Sequence, residues 1–424
     1  MTYKEYKNES YNLYTIKTDK FKTCHMEIIF YENFDSKLIT PMNFLTDMLV
    51  HSSEKYPKRQ KVVEHLEDLY SASFYGTNAR VGNALLYNYI YDFLDPQYTD
   101  KNYLKEVIKF PFEMLFNPNI INDEFDLRTF KIIKSRIIAD IESVKESPSR
   151  YAIKRALYNM DKEHPAAYDF VGNKKDLEVI TPESLVKNYQ HLLNNTHCDI
   201  YLVGNLNMDK INIMINEIFR NNIIKTDNLN LFVNSKSVKH PLLITEQDNF
   251  EQDSLVTIYN LNNLSQFDYD YTMKVFNHIF GNGSLNAKLY QNLREKNSLC
   301  YSVNNIYQKY DQLLIIYVGL DVKNKQKAIK LIKKTVLEMQ HGDFTEIDIK
   351  NSKNNLLNGI KISLDNPGSL VNNYLFHNLA NLPLLNTYGQ EIAKVTKEDI
   401  QRVAKQLKLN TIYLLVKGDA NGRN

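Results

Sequence analysis

The sequence predicts an α+β protein of two homologous domains, each a mainly antiparallel sheet packed by helices. Three observations carry that prediction: an internal repeat, a change of composition at mid-chain, and apolar strands alternating with long helical patterns. The repeat pairs ITPESLVKNYQHLLNNTHCDIYLVGN (180–205) with VTKEDIQRVAKQLKLNTIYLLVKGD (395–419). Each copy has a threonine, an acidic residue two positions on, an amphipathic run, and a short apolar strand stopped by glycine. Thr181 and Thr396 suit helix N-caps, because a hydroxyl accepts from the unpaired N–H groups of a first turn. Gly204 and Gly418 end the β-prone runs that follow. A fainter echo joins VVEHLEDLYSASFYGTNARVGN near residue 62 to LYQNLREKNSLCYSVNNIYQKY near residue 289, each a helix followed by an extended aromatic stretch.

Between the copies, residues 221–240 are rich in Asn, Lys and Ser with weak periodicity, which predicts a linker. The expected domains are therefore 1–220 and 241–424. Within them, CHMEIIFYE, CDIYLVG, LVTIYNL and LLIIYVGLDV read as strands, and EFDLRTFKIIKSRIIADIESVKES and NKQKAIKLIKKTVLEMQ as helices.

Composition excludes several functions. With 43% hydrophobic and 24% charged residues, the 424-residue chain can bury sizeable cores. Its 52 basic and 50 acidic side chains are interspersed, which gives no electrostatic footprint for nucleic acid or a membrane surface. The polar N-terminus lacks the apolar core of a signal peptide, and no run approaches the roughly 18 apolar residues of a membrane span. A cytoplasmic location is expected. Cys24, Cys198 and Cys300 stand far apart, so they read as packing residues, neither a disulfide framework nor a metal site.

The stretch FGNGSLNAKLYQNLREKNSLCYSV (280–303) carries the chemistry. Gly281 and Gly283 free the backbone to turn before a helix bearing Leu289, Leu293 and Arg294, and Tyr301 follows on an extended run. The plainer reading pairs Arg294 with Glu295 or another carboxylate and seats Tyr301 on a sheet among the other tyrosines. The stretch closely resembles the C-terminal-half signature of the insulinase or pitrilysin-like zinc metallopeptidases. That resemblance implies that Arg294 and Tyr301 reach toward substrate at a zinc ion, and that Gly281 and Gly283 let substrate pass close to the backbone. A guanidinium grips a carbonyl or carboxylate with parallel donors; a phenol donates to the oxyanion formed when zinc-bound water attacks a peptide.

The family's first half begins with an inverted zinc motif, H-x-x-E-H. Here PMNFLTDMLVHSSEKYP (41–57) keeps the apolar frame Phe44, Leu45, Met48 and Leu49, and SEKYP follows in register. The ligands are gone: Asn43 stands at the first histidine, Thr46 at the glutamate and Asp47 at the second histidine. Asp140, in IIADIESVKESP, falls on the distant third ligand and keeps a carboxylate. Two histidines four apart share a helix face and so hold one metal, and the glutamate between them activates its water. Thr46 cannot act as that base. HSSEK at 51–55 matches H-x-x-E, but Lys55 occupies the second-ligand place. Asn43, Asp47 and Asp140 supply oxygen for a hard cation at most, with no fourth partner visible.

The resemblance spans the chain. It implies two α+β domains forming half of a clamshell, and a non-catalytic subunit of a heterodimeric zinc peptidase. Such a subunit binds and positions peptides and lends Arg294 and Tyr301 to a zinc site on a related partner chain, with zinc expected there and no cofactor in this chain. The alternative is a purely structural or peptide-binding protein of the same fold.

Overall fold

The computed structural model describes residues 1–219, 229–282 and 285–418. The chain forms two compact units, each discontinuous in sequence. The first takes Met1–Glu142, Phe170–Asn230 and Leu364–Ala380; the second takes Ser143–Asp169, Leu231–Ser363 and Asn381–Asn424.

In chain order the strands of the first unit are β1 (Thr2–Lys7), β2 (Asn12–Lys17), β3 (Thr23–Asn33), β4 (Ser73–Val81) and β5 (Ala84–Leu94). A short ladder of β6 (Ile120–Ile121) and β7 (Glu124–Phe125) follows, and then β8 (His197–Gly204). The sheet runs β1-β2-β8-β3-β5-β4, antiparallel except between β2 and β8. The helices up to the linker are α1 (Ile39–His51), α2 (Arg59–Asp68), α3 (Tyr103–Phe116), α4 (Leu127–Ser143), α5 (Pro148–Met160), α6 (Lys174–Val179), α7 (Pro182–Asn195) and α8 (Met208–Ile218).

The second unit's sheet is β9 (Leu242–Asp248), β10 (Asp253–Asn260), β11 (Cys300–Gln308), β12 (Leu313–Leu320) and β13 (Lys408–Lys417). It is ordered β11-β12-β10-β13-β9, with only β9 and β13 parallel. This is the order of the first sheet without β1. The helices after the linker begin with α9 (Met273–Asn277), extended by π-helical turns at Asp268–Thr272 and His278–Asn282. There follow α10 (Lys288–Tyr290), continued by a π-turn at Gln291–Glu295, then α11 (Lys325–His341), α12 (Glu346–Ser363), α13 (Pro367–Ala380), α14 (Leu385–Lys394) and α15 (Lys397–Gln406).

Strand alternation sends one face of each sheet to the main core. Met26, Ile28 and Phe30 of β3 join Tyr87, Tyr89, Tyr91 and Phe93 of β5 beneath α1, α3 and α7. The opposite faces take one helix each. A division at 220/241 leaves α5 in the first half and α13 in the second, whereas in the fold each packs with the other half's sheet. In the first unit, the Tyr374 ring of α13 stacks on Tyr3 at 4.3 Å, and Asn378 donates to the Tyr201 hydroxyl at 3.0 Å. In the second, Ala152, Ala156 and Leu157 of α5 pack on Val256, Ile258 and Ile315. Arg155 there grips Glu246 with two donors, at 2.8 and 2.5 Å.

The repeat is seen in its caps. Thr181 and Thr396 each accept from an N3 amide, and the N3 side chains, Ser184 and Asp399, accept or receive in return as reciprocal boxes. Cys24 and Cys198 are buried, and Cys300 is partly buried. Among the described residues no helix is long and apolar enough to cross a membrane.

Candidate functional site

The apolar frame read from the sequence does place α1 against the first sheet: Phe44, Leu45, Met48 and Leu49 are all buried. This seats Asn43, Thr46 and Asp47 beside β4 and α4. There they line a cavity of about 230 Å³ together with Gly76, Asn78, Ile137, Asp140 and Phe170. The structure therefore brings together all four positions that the sequence assigned to a degenerate zinc site. Gly76 is required for this approach, since a Cβ on it would meet Thr46 Cγ2 at 2.4 Å.

The side chains are tied to one another. Thr46 Oγ1, buried at 3% exposure, donates to Asn78 Oδ1 at 2.9 Å. Asn78 Nδ2 donates to Asn43 Oδ1 and to the Met42 carbonyl, and Asn43 Nδ2 donates to the Phe170 carbonyl. Asp47 pairs with the Arg136 guanidinium at 2.5 Å. Burial nevertheless pushes the Asp47 carboxyl above its usual range; Arg136 opposes the shift and Asp140 adds to it.

Zinc does not fit this donor set. The two nitrogen ligands are replaced by an amide committed to Phe170 and Asn78 and by a carboxylate already neutralised by a guanidinium, and a threonine hydroxyl replaces the base. Among the described residues no group of three or more His, Cys, Asp or Glu side chains is placed to hold a metal. His51 is no substitute: burial, and then Arg59 and Arg136, lower its pKa, and its Nδ1 is buried without a hydrogen-bond partner.

Sequence reasoning missed Arg136 and Asn78. Arg136 precedes Asp140 by one helical turn on α4, so the two share a face of that helix. Asn78 has a counterpart in the echo already noted: in the second unit Asn305 of β11 donates to Asn277 of α9, just as Asn78 and Thr46 link β4 to α1. Both units use an asparagine on the outer strand to tie it to the neighbouring helix.

The Arg294 and Tyr301 pair lies on the second unit. Cys300 pairs with Leu320 and Ser302 with Gly319, so Tyr301 is the extra residue of a β-bulge. The bulge lifts it from the pleat, leaving it 71% exposed on the open edge strand β11. Arg294 is exposed on the π-turn before the strand, its guanidinium 5.2 Å from the Tyr290 ring centre. It makes no ion pair with a carboxylate among the described residues, Glu295 included. Burial raises the Cys300 thiol and the Arg294 charge opposes that, which puts the guanidinium near the foot of the bulge. Gly281 has no left-handed backbone; a Cβ there would meet Asn305 Oδ1 at 2.6 Å, so its bareness lets the helix end close on β11. Gly283 lies outside the described residues.

Comparison with known proteins agrees with this geometry. Residues 180–356 match the family model described as Peptidase M16 inactive domain. The chain is similar to a probable inactive metalloprotease, YmfF, of Bacillus subtilis (strain 168), with 26% identity over 408 residues covering 94% of each chain. It is also similar to a conserved protein from Enterococcus faecalis V583, whose crystal structure superposes with a TM-score of 0.90 at 26% identity, over 99% of this chain and 100% of that one. The chain is thus similar to M16, insulinase-like peptidases, through the family match over 180–356 and the full-length likeness to YmfF. An uncharacterized zinc protease of the same Bacillus, YmxG, is 27% identical over 143 residues, 32% of this chain and 34% of its own. Asn43, Thr46 and Asp47 stand where the M16 zinc motif H-x-x-E-H would place its histidines and glutamate.

Proposed function

We propose that this chain is the non-catalytic subunit of a heterodimeric zinc peptidase, binding and positioning peptides while Arg294 and Tyr301 act at the zinc site of a related partner. The observation that carries the reading is the bulge at Tyr301. An edge-strand tyrosine expelled to 71% exposure, beside an arginine with no carboxylate partner among the described residues, is arranged for something outside the chain. A phenol and a guanidinium suit the developing oxyanion and the carbonyl of a peptide. The first unit differs: there Asn43 and Thr46 are committed to hydrogen bonds and Asp47 to an ion pair with Arg136.

The open edges of β4 and β11 add a means of holding peptide, since an extended segment pairs with an unpaired strand through main-chain hydrogen bonds. Hydrolysis itself belongs to the partner's zinc and base. The partner sought is an M16 chain with an intact H-x-x-E-H.

The experiment is peptide cleavage by the pure chain, by a zinc-bearing M16 chain from the same genome, and by their mixture. Cleavage appearing only in the mixture, and falling at least about a hundredfold with Tyr301→Phe or Arg294→Ala, supports the reading. Activity in the mixture that ignores both substitutions makes this chain a scaffold.

A further inference from the structure

A cavity of about 670 Å³ lies in the second unit away from the residues above, between the end of the α9 helix, α10 with its π-turn, the end of α11 and the start of α12. All but two of its fifteen lining residues are polar. Its origin is visible by comparison with the first unit. There α4 follows β5 and α3, and it fills the space beside α1 with Phe130, Ile133 and Ile137, the Phe130 ring lying 4.6 Å from that of Phe44. In the second unit α12 follows β12 and α11, yet buries only Ile349 and Ser352; Ser352 donates to the Val275 carbonyl at 3.3 Å. Where one helix presents a phenyl ring and branched carbons, the other presents a hydroxyl and the carboxamides of Asn351 and Asn355. The cavity is built by the sequence rather than left by poor packing, and it accommodates a ligand of ordinary small-molecule size.

Its walls carry both charges. Lys288 and Lys296 come from α10 and the residues after its π-turn; Glu338, Asp343 and Asp348 come from α11, the following turn and α12. No ion pair joins these lysines to these carboxylates among the described residues. Glu338 is partly committed, accepting from Asn292 at 3.0 Å, and Asp348 caps its own helix through Thr345. The side chains of Asp343, Lys288 and Lys296 make no hydrogen bond or ion pair with any described residue. Opposite charges facing one polar cavity without meeting across it call for a ligand that carries both signs, with amides between to match the asparagines.

We propose that this cavity binds a short zwitterionic peptide of two or three residues, its carboxylate toward Lys288 and Lys296, its ammonium toward Asp343, and its amides against Asn351 and Asn355. The site is separate from the Arg294 and Tyr301 pair, neither of which lines it. It does not depend on the chain's having a peptidase partner.

The test is calorimetric titration of the full chain with alanyl-alanine, its N-acetyl form, its C-terminal amide, alanine, and trehalose as a neutral polyol. Saturable binding of the free dipeptide is expected, weakened at least about tenfold by blocking either end, by Lys296→Gln or by Asp343→Asn. Both substituted residues sit on the cavity wall without described partners, so their variants should unfold at the wild-type midpoint. No binding of alanyl-alanine at millimolar concentration, equal binding of the blocked forms, binding indifferent to both variants, or preference for trehalose would each overturn the proposal. Because no partner chain is present, failure here leaves the shared-zinc reading standing, and failure of the cleavage experiment leaves this one standing.

Discussion

Replacing Asn78 by alanine should destabilise the first unit more than any other single truncation at the cavity lined by Asn43, Thr46 and Asp47. Asn78 accepts from Thr46, which is 3% exposed, and donates to Asn43 and to the Met42 carbonyl. Truncation orphans the buried Thr46 hydroxyl and one amide oxygen of Asn43. An orphaned buried polar group costs about 1–3 kcal/mol, and the partly buried Asn43 falls at the low end because water can reach it. The sum is about 2–4 kcal/mol. Thr46→Val removes the donor alone and should cost about 1–2 kcal/mol by leaving Asn78 Oδ1 unmet. Because the two share one hydrogen bond, the double variant should fall short of the sum by about 1 kcal/mol. Equilibrium urea unfolding of the four proteins, compared at a common slope, measures the cycle. If Asn78→Ala lies within about 0.5 kcal/mol of wild type, or if the two changes are additive, the polar network does not replace the metal as the tie between α1 and β4.

Zinc should return only if the internal cation leaves: a protein with Asn43→His, Thr46→Glu and Asp47→His is expected to bind zinc at least about tenfold more weakly than one that also carries Arg136→Gln, because the freed guanidinium repels the ion. Metal analysis after dialysis against defined free zinc reads this directly. His25 gives a pH dependence. Burial alone would lower it, but hydrogen bonds to Asp92 at 2.6 Å and Glu27 at 2.9 Å outweigh that and raise it to about 9. A raised folded pKa stabilises below the unfolded value of 6.5 and is lost as pH climbs through about 9. Stability should therefore drop by about 3 kcal/mol across that window, and His25→Gln should flatten the drop. Gly281→Ala should cost about 1–3 kcal/mol, since the new methyl collides with Asn305, and differential scanning fluorimetry should show the loss.

What the sequence revealed was local or periodic. Thr181 and Thr396 announce their caps because the partners lie three residues away. The frame of α1 was legible from apolar spacing, and the empty ligand positions from that frame. Arg136 was not read, since α4 offers several charged residues and only folding says which one faces Asp47. The bulge at Tyr301 was beyond reach, because a bulge is a property of two strands in register and the sequence shows one strand at a time. The destinations of α5 and α13 were invisible for a related reason: an amphipathic pattern says that a face is buried, not which sheet buries it. The second cavity was equally silent, as asparagines on α12 look like a solvated surface until the neighbouring helices surround them.

The exchange of α5 and α13 bears on how the protein is made. When synthesis reaches the linker, the first sheet is complete in strands, but the helix that covers its tyrosine-bearing face ends at Ala380. At about 5–20 residues per second, that face waits on the order of ten to thirty seconds for its cover. Over the same interval α5 has emerged without β10 and β12, the strands on which it rests. The nascent first half is thus a molecule with two unmet surfaces, and the halves are obliged to mature together. A gene cut at the linker would yield two sticky products rather than two domains.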